Sequence, residues 1–281
     1  MRVLVTGASG QLGRALVDAF EGHEVAACAR CDLDLADRDS VMQAICSSEP
    51  DAVVHAGAYT AVDRCESDPD TAFRVNALGT RWVVQASRAV GAAVCYLSSD
   101  YVFDGASADP YDEWSTPNPR SVYGRSKLAG ERELDAGSLV VRTSWLSGAG
   151  GANFVRTMLR LASDPGRPAI RVVTDQRGCP TFCADLAGAI RRLVVARQSG
   201  IFHVTNQGAT TWFDFAREIL RAGGFSPDAV LPTTTAAYGA AAPRPANSVL
   251  DNAALRLAGM APLPPWQESL TRLVEEIGAN G

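Results

Sequence analysis

The first thirteen residues contain a glycine turn between two predicted elements, and this feature restricts the fold more than any other. Residues 2–6 are a short run rich in β-branched residues, typical of a strand buried in a parallel sheet. Gly7, Gly10 and Gly13 follow at intervals of three, and an apolar pattern of helical period comes next. Such a strand, turn and helix start form a cradle for a dinucleotide pyrophosphate, because glycines admit the phosphate and the helix N-terminus favours its charge. A plain tight turn is the alternative, since the usual spacing is Gly-x-Gly-x-x-Gly.

The second predicted strand, residues 24–29, bears on which dinucleotide is bound. An acid at the end of this strand commonly holds the ribose 2′-OH of NAD, whereas an arginine suits the 2′-phosphate of NADP. Arg30 lies in this position, and Asp32 follows two residues later. We therefore expect NADPH, with NADH and a solvent-exposed Arg30 as the alternative.

The alternation of strands and helices continues to about residue 147, with further strands predicted at 51–57, 92–98 and 139–143. This pattern predicts an α/β fold, a doubly wound parallel sheet, followed by a smaller α/β C-terminal lobe that binds the substrate. The predicted domains are interleaved. The dinucleotide-binding domain comprises residues 1–147 and about 170–205, and the lobe comprises about 148–169 and 206–281.

Composition excludes several classes of partner. The net charge is −5 and no long run of like charges occurs, which argues against nucleic acid. No segment has the roughly 20 apolar residues of a membrane span, and no secretory signal is apparent, so we expect a cytoplasmic protein without membrane contact. The seven cysteines, mostly in apolar runs, are typical of reduced thiols, and no metal site is predicted.

A candidate catalytic pair lies on a predicted helix that begins near residue 121. Tyr123 and Lys127 are four residues apart, so both side chains face one side of the helix. A neighbouring ammonium would lower the tyrosine pKa from about 10 towards neutrality. This spacing alone also occurs by chance on exposed helices. Ser99 follows a predicted strand at the sheet edge where α/β proteins place their chemistry, whereas His55 lies in an apolar run and is expected to be a core residue.

Seven segments together resemble the dTDP-4-dehydrorhamnose reductase family of the extended short-chain dehydrogenase/reductase superfamily. They are Gly7–Gly13 (GASGQLG), Ala58–Asp63 (AYTAVD), Ser98–Gly105 (SSDYVFDG), Tyr123–Glu131 (YGRSKLAGE), Arg142–Trp145 (RTSW), Gly178–Thr181 (GCPT) and Pro243–Ser248 (PRPANS). The resemblance implies a Rossmann-type fold. It also implies NAD(P)H-dependent reduction of the 4-keto group of a dTDP-4-keto-6-deoxyhexose, with dTDP-4-dehydro-L-rhamnose as the first candidate substrate.

The resemblance implies roles for individual residues as well. Tyr123 would donate the proton, Lys127 would hold the nicotinamide ribose and lower the tyrosine pKa, and Ser99 would hydrogen-bond the substrate carbonyl. The cofactor would contact Gly7, Gly10, Gln11, Leu12, Gly13, Arg30, Asp34, Leu35, Ala56, Gly57, Ala58, Tyr59, Tyr123 and Lys127. The nucleotide sugar would contact Ser99, Asp100, Trp145, Asn153 and Arg244. A core position for Trp145 and a solvated position for Arg244 are the alternatives.

Related functions remain as alternatives. The nucleotide-sugar 4,6-dehydratases resemble the same stretch but carry a glutamate where this chain has Tyr101, which argues against dehydration. Another dTDP-deoxysugar could be the substrate. A non-catalytic NADP-binding regulatory subunit, like that of methionine adenosyltransferase, also resembles this chain. Some family reductases use Mg²⁺ and glutamates to form dimers, and Ala15 stands where such a glutamate is expected, so both a monomer and a homodimer stay open.

Overall fold

The structure is a computed structural model that describes residues 1–164, 166 and 169–279. The strands are β1 (Arg2–Thr6), β2 (Glu24–Cys28), β3 (Ala52–His55), β4 (Ala93–Ser99), β5 (Leu139–Thr143), β6 (Leu146–Ser147), β7 (Ile170–Val173), β8 (Arg177–Gly178), β9 (Thr181–Phe182), β10 (Gly200–His203), β11 (Thr210–Thr211) and β12 (Val230–Thr233). The helices are α1 (Gln11–Ala19), α2 (Arg38–Ser48), α3 (Val62–Ser67), α4 (Pro69–Phe73), α5 (Gly79–Val90), α6 (Val122–Glu131), α7 (Phe154–Ala162), α8 (Cys183–Val195), α9 (Trp212–Ala222), α10 (Thr235–Tyr238), α11 (Ala253–Leu257) and α12 (Trp266–Ala279). Two 3₁₀ turns cover Asp100–Val102 and Pro227–Ala229.

Six parallel strands form the central sheet in the order β10-β5-β4-β3-β1-β2. The apolar cluster on one face includes residues of α1 and α8, and the cluster on the other includes residues of α2 and α5. The predicted doubly wound parallel sheet is therefore confirmed. The strand order reverses between β1 and β3, and the crevice beyond the carboxyl ends of these strands is where such sheets bind their ligands.

The second half of the chain builds a smaller lobe around its own apolar cluster. This cluster includes Val155, Ile170, Phe215, Ile219 and Trp266. The strand β7 pairs in parallel with β12, outside the central sheet. The division into two domains remains a proposal, but this pairing assigns residues 170–173 to the lobe and not to the dinucleotide-binding part. Its physical reason is that Ile170 and Val172 pack into the lobe cluster.

Local sequence decides where several helices begin. The helix α2 starts at Arg38, because the Asp37 side chain caps it by accepting from Asp39 N at 3.0 Å. A π-helical segment, Arg74–Leu78, lies between α4 and α5. Residues 229–250 contain β12 and the short α10.

Among the described residues, no helix has both the length and the apolar character that crossing a bilayer requires.

Candidate active site

Glycine is required in the turn after β1 because backbone segments meet there. Gly7 has a φ of +66°, and a Cβ on it would lie 2.7 Å from Gly57 Cα. A Cβ on Gly13 would lie 2.1 Å from Gly7 O. Gly10 is the N-cap of α1 and has no side chain that could cap the helix, so the backbone N–H groups of the first helical turn are available to an anion.

A cavity of about 390 Å³ opens beside this turn. Twelve of the fourteen residues predicted to contact a cofactor line it; the exceptions are Tyr123 and Lys127. The twelve are Gly7, Gly10, Gln11, Leu12, Gly13, Arg30, Asp34, Leu35, Ala56, Gly57, Ala58 and Tyr59. Ser9, Leu33, Thr60, Thr71, Val75 and Leu146 complete its lining. The glycine cradle, the free helix N-terminus and these lining residues fit a dinucleotide.

Arg30 follows β2 by two residues and lies at the rim of this cavity. Arg30 is exposed, lines the cavity and makes no ion pair with any residue in the described ranges. The nearby carboxylates are engaged by the backbone, since Asp32 accepts from Ala29 N at 2.9 Å and Asp34 accepts from Ala36 N at 2.9 Å. A guanidinium in this place suits a 2′-phosphate better than a bare ribose hydroxyl.

The helix α6 is held at its N-terminus by two side chains. Ser121 Oγ accepts from Gly124 N at 3.0 Å, and Glu66 Oε1 accepts from Val122 N at 2.7 Å. A Cβ on Gly124 would lie 2.1 Å from Tyr101 O, so glycine lets the helix lie against the turn that follows β4. These contacts bring Tyr123 to the edge of the Tyr101 ring, with 5.6 Å between ring centroids and 75° between planes.

The electrostatics of Tyr123 differ from the expectation. Burial raises the pKa of Tyr123 above its ordinary value, the charge of Asp100 raises it further, and hydrogen bonding with Ser99 opposes these effects. The predicted lowering of the Tyr123 pKa by Lys127 is therefore wrong, because desolvation of the phenolate outweighs any attraction to the ammonium. A tyrosine that keeps its proton at neutral pH is a suitable proton donor.

Lys127 is the only lysine among the 26 lysine and arginine residues of the chain. Its side chain is buried, with Nζ 4.1 Å from the centroid of the Tyr96 ring. Tyr96 OH also donates to Lys127 O at 3.3 Å. Burial lowers the pKa of Lys127 to about 7, and the charge of Glu131 opposes this shift. The group therefore exchanges its proton near neutral pH.

Ser99 and Asp100 follow β4 and form a buried pair. Ser99 Oγ donates to Asp100 Oδ1 at 2.8 Å and accepts from Tyr101 N at 3.1 Å. Burial raises the pKa of Asp100 to about 6, while hydrogen bonds from Ser248 and Ser99 lower it. Its Oδ2 is buried and has no hydrogen-bond partner among the described residues. A half-satisfied carboxylate beside a tyrosine is typical of a functional site, since burying it costs stability.

Trp145 belongs to an aromatic cluster in the lobe. Its ring stacks on Trp212 with centroids 3.6 Å apart, and Gly178 leaves room for it, because a Cβ there would lie 2.5 Å from Trp145 Cε2. The backbone φ of Trp145 is +47°, a left-handed conformation that is strained for a bulky residue. Such strain is often found at ligand sites. The side chain is half-buried, so both the predicted sugar contact and core packing apply to it.

Arg244 reaches the site from the C-terminal loop. Its Nη2 donates to Asp63 Oδ2 at 2.9 Å, and Ala242 N donates to Asp63 Oδ1 at 3.0 Å. Its guanidinium carbon lies 6.0 Å from the Tyr101 ring centroid. The side chain is 18% exposed, which contradicts the alternative of a fully solvated arginine.

Asn153 has a structural role that the sequence analysis did not anticipate. Its Oδ1 caps α7 by accepting from Arg156 N at 2.9 Å, and its Nδ2 donates to Gln11 Oε1 and to Gly148 O. Both amide hydrogens are thus engaged, which weakens its candidacy as a nucleotide contact. Gln11 in turn accepts from Gly148 N and donates to Ala152 O.

Asn76 connects the two halves of the site, and the sequence analysis assigned it no role. Its side chain accepts from Tyr59 N at 2.8 Å and donates to Tyr59 O at 3.1 Å and to Ser126 Oγ at 2.9 Å. It therefore joins the cofactor loop after β3 to the catalytic helix. It lies in the π-helical segment, a feature often found at functional sites. The signal in the sequence was an amide on the buried face of a helix.

His55 is the core residue that was predicted. Its Nδ1 lies 2.8 Å from Thr6 Oγ1 and its Nε2 lies 3.2 Å from Thr80 Oγ1. Burial lowers the pKa of His55 to about 3, and the charge of Lys127 lowers it further. The imidazole is therefore neutral at neutral pH and packs beneath the site.

Comparison with known proteins identifies the family. A family model described as RmlD substrate binding domain matches residues 1–279. The chain belongs to this family. The predicted resemblance to the dTDP-4-dehydrorhamnose reductases is thereby confirmed.

Several proteins are similar to this RmlD family member over nearly its whole length. It is 45% identical to a dTDP-4-dehydrorhamnose reductase of Streptomyces griseus, with 96% of this chain and 92% of the relative covered. It is 39% identical to a dTDP-4-keto-6-deoxy-D-glucose reductase of Streptomyces niveus, with 99% and 98% covered. The crystal structure of a dTDP-4-dehydrorhamnose reductase of Bacillus anthracis str. Ames in complex with NADP superimposes with a TM-score of 0.94 at 41% identity, covering 98% of this chain and 99% of that one.

Proposed function

We propose that this RmlD family protein is an oxidoreductase that uses NADPH to reduce the 4-keto group of a dTDP-4-keto-6-deoxyhexose. The observation that carries the proposal is the arrangement at the carboxyl end of β4, where Ser99 and Asp100 lie beside Tyr123 and burial keeps the tyrosine protonated. Ser99 and Tyr123 can hydrogen-bond a carbonyl and then protonate its oxygen. NADPH and not NADH is favoured by Arg30 at the cavity rim and by the NADP complex of the Bacillus anthracis relative.

Tyr123, Ser99 and Lys127 have different roles in the proposed reaction. Bound dihydronicotinamide supplies the hydride that reaches C4 of the sugar. Tyr123 holds its proton until negative charge develops on the carbonyl oxygen, and its raised pKa prevents earlier loss. Ser99 donates a hydrogen bond to the same oxygen, which stabilises the developing charge. Lys127, buried one helical turn from Tyr123, supplies a positive charge in its ammonium form and a donor for the nicotinamide ribose.

Substrate identity is proposed from the relatives and from the lobe. The first candidate is dTDP-4-dehydro-L-rhamnose, giving dTDP-L-rhamnose, and the alternative is another dTDP-4-keto-6-deoxysugar, as in the name of the Streptomyces niveus relative. Asp100, Trp145 and Arg244 are the proposed sugar and nucleotide contacts. Dehydration is disfavoured, because Tyr101 cannot act as the carboxylate base that elimination requires.

Oligomeric state and location remain predictions. A monomer and a homodimer are both open, and the cytoplasm is the expected compartment.

The test is an assay of NADPH and NADH oxidation with a panel of nucleotide 4-keto sugars. We expect oxidation that depends on a dTDP-4-keto-6-deoxysugar and is faster with NADPH. Turnover of a dTDP-sugar other than the rhamnose precursor would select the alternative substrate. Binding of NADPH without turnover of any sugar in the panel would contradict the proposal and favour a non-catalytic regulatory subunit.

A further inference from the structure

A buried ion pair joins the C-terminal end of α6 to β5. Arg142 Nε and Nη2 donate to Glu131 Oε1 and Oε2 at 2.9 and 2.7 Å, and the side chains are 2% and 6% exposed. Ser98 Oγ also donates to Glu131 Oε1 at 2.5 Å. Three donors from β4 and β5 thus hold one carboxylate at the C-terminal end of α6.

Stability alone is a weak reason for this pair. Removing two charges from water costs several kcal/mol per ion, and apolar residues of similar size often serve a core equally well. Arg142 is also not fully satisfied, because its Nη1 is buried and has no hydrogen-bond partner among the described residues. The burial of the Glu131–Arg142 pair would be explained by a nearby cationic group that the negative charge of Glu131 stabilises.

Lys127 is that cationic group. It precedes Glu131 by four residues on α6, so the two side chains lie on one face of the helix. Tyr96 on β4 and Tyr123 on α6 have raised pKa values and His55 on β3 has a lowered one, so these groups around Lys127 are neutral at neutral pH. Asp100, on the turn packed against α6, is mostly ionised at neutral pH, but Glu131 is the carboxylate whose charge raises the pKa of Lys127. Cys65 on α3 has a raised pKa, and Glu66 is held by the backbone of α6.

We propose that Glu131, clamped by Arg142 and Ser98, is a positioning residue that keeps Lys127 in its ammonium form inside the site. The hydrogen bonds from Arg142 and Ser98 to Glu131 are part of this role. Three hydrogen bonds from Arg142 and Ser98 satisfy the buried carboxylate and fix its position on the face of α6 that carries Lys127. The consequence for turnover rests on the proposed function, but the state of Lys127 does not.

The single lysine makes the state of Lys127 directly measurable. Protein labelled with ¹³C and ¹⁵N in lysine contains one ε-methylene and one ε-amine, so a tag-free sample needs no resonance assignment. We expect the ε-carbon signal of the wild type to titrate near pH 7. In Glu131→Gln the midpoint should fall by about one pH unit or more, because the ammonium loses the anion that favours it. The matched control is Glu133→Gln, which removes a carboxylate two residues away that pairs at the surface with Arg81; its midpoint should stay at the wild-type value.

A second variant allows for misfolding, since Glu131→Gln leaves Arg142 unpaired in the core. Glu131→Met combined with Arg142→Met removes the pair as a unit, which proteins often tolerate. Its midpoint should also fall, because Glu131 is the charge that acts on Lys127. A wild-type midpoint in either folded variant overturns the proposal. Failure of both variants to fold would assign the pair to the fold alone and would overturn it too.

The pH dependence of kcat is a further test, because it would not change if Glu131 had a purely structural role. If the reduction proceeds as proposed, the alkaline limb of the kcat profile should shift to lower pH with the lysine midpoint, and kcat at pH 7 should fall about fivefold for a one-unit shift. A shifted lysine midpoint without any keto-sugar turnover would contradict the proposed function while leaving the role of Glu131 supported.

Discussion

Ser99 Oγ donates its hydroxyl hydrogen to Asp100 Oδ1 across 2.8 Å. A serine has one such hydrogen, so binding a substrate carbonyl requires the hydroxyl to turn from the carboxylate to the carbonyl. Asp100 Oδ2 already has no partner among the described residues. The carboxylate of Asp100 then loses the hydrogen bond from Ser99 when the substrate binds.

Replacing Asp100 by asparagine should therefore stabilise the protein. The pKa of Asp100 in the folded protein, about 6, lies above the ordinary 3.8. Ionised Asp100 therefore lowers the free energy of unfolding of the wild type above pH 6, and this destabilisation disappears as the pH falls to about 4. We expect Asp100→Asn to raise the free energy of unfolding by up to about 3 kcal/mol at pH 7, with the difference vanishing near pH 4. Urea unfolding across this pH range measures it. Exposed Asp109→Asn is the control and should have no such pH dependence; an equal gain at pH 4 and pH 7 would contradict the explanation.

Removing the phenolic hydroxyl of Tyr123 should abolish proton donation but spare the cofactor cavity, which this residue does not line. Tyr123→Phe is expected to lose roughly 10²- to 10⁴-fold in kcat while it still binds NADPH, because general acid catalysis is typically of that size. Steady-state kinetics and fluorescence titration with NADPH give the two quantities. Tyr238→Phe, at a 67% exposed tyrosine, should match the wild type in both. Full activity of Tyr123→Phe would exclude the proposed proton donor.

Arg30 should distinguish the two cofactors. In Arg30→Ala, NADPH should bind roughly 10- to 100-fold more weakly, since a charge-assisted bond to the 2′-phosphate contributes about 1.5–3 kcal/mol. Binding of NADH, which has no such phosphate, should change little. Calorimetric titration with each cofactor tests this, and Arg38→Ala, at an exposed arginine paired with Asp39, serves as the control. Equal losses for NADH and NADPH would remove Arg30 from 2′-phosphate recognition.

Adding one methyl group at Gly13, in the glycine turn, should impair both stability and cofactor binding. Gly13→Ala would place a Cβ 2.1 Å from Gly7 O, so the turn or the helix must move. We expect a destabilisation of about 1–3 kcal/mol together with loss of cofactor binding. Thermal unfolding with and without NADPH measures both. Gly137→Ala meets open space and should be tolerated; normal NADPH binding by Gly13→Ala would show that the turn is not the pyrophosphate site.

The features predictable from the sequence are those set by neighbours along the chain. The turn at Gly7–Gly13 needs only its own strand and helix, and the four-residue spacing of Tyr123 and Lys127 is a property of any helix. The doubly wound sheet followed from the alternation of such local units.

Other features depend on residues far apart in sequence, so local patterns could not reveal them. Ile170–Val173 pairs with a strand that begins sixty residues later, at Val230. The direction of the Tyr123 pKa is set by burial and by Asp100 on another element. Asn153 was assigned to the nucleotide because its bonds to Gln11 and Gly148 are invisible in the sequence.

Those bonds to Gln11 also have a thermodynamic consequence. The first helical turn of the cofactor site is tied to the segment 148–153 by three hydrogen bonds of one side chain. A dinucleotide that moves Gln11 must therefore move the start of the lobe or break these bonds. If the proposed nucleotide sugar displaces this segment, the coupling is reciprocal: each ligand changes the affinity for the other by one common factor. Gln11 is therefore the side chain through which we expect the two proposed ligands to affect each other's binding.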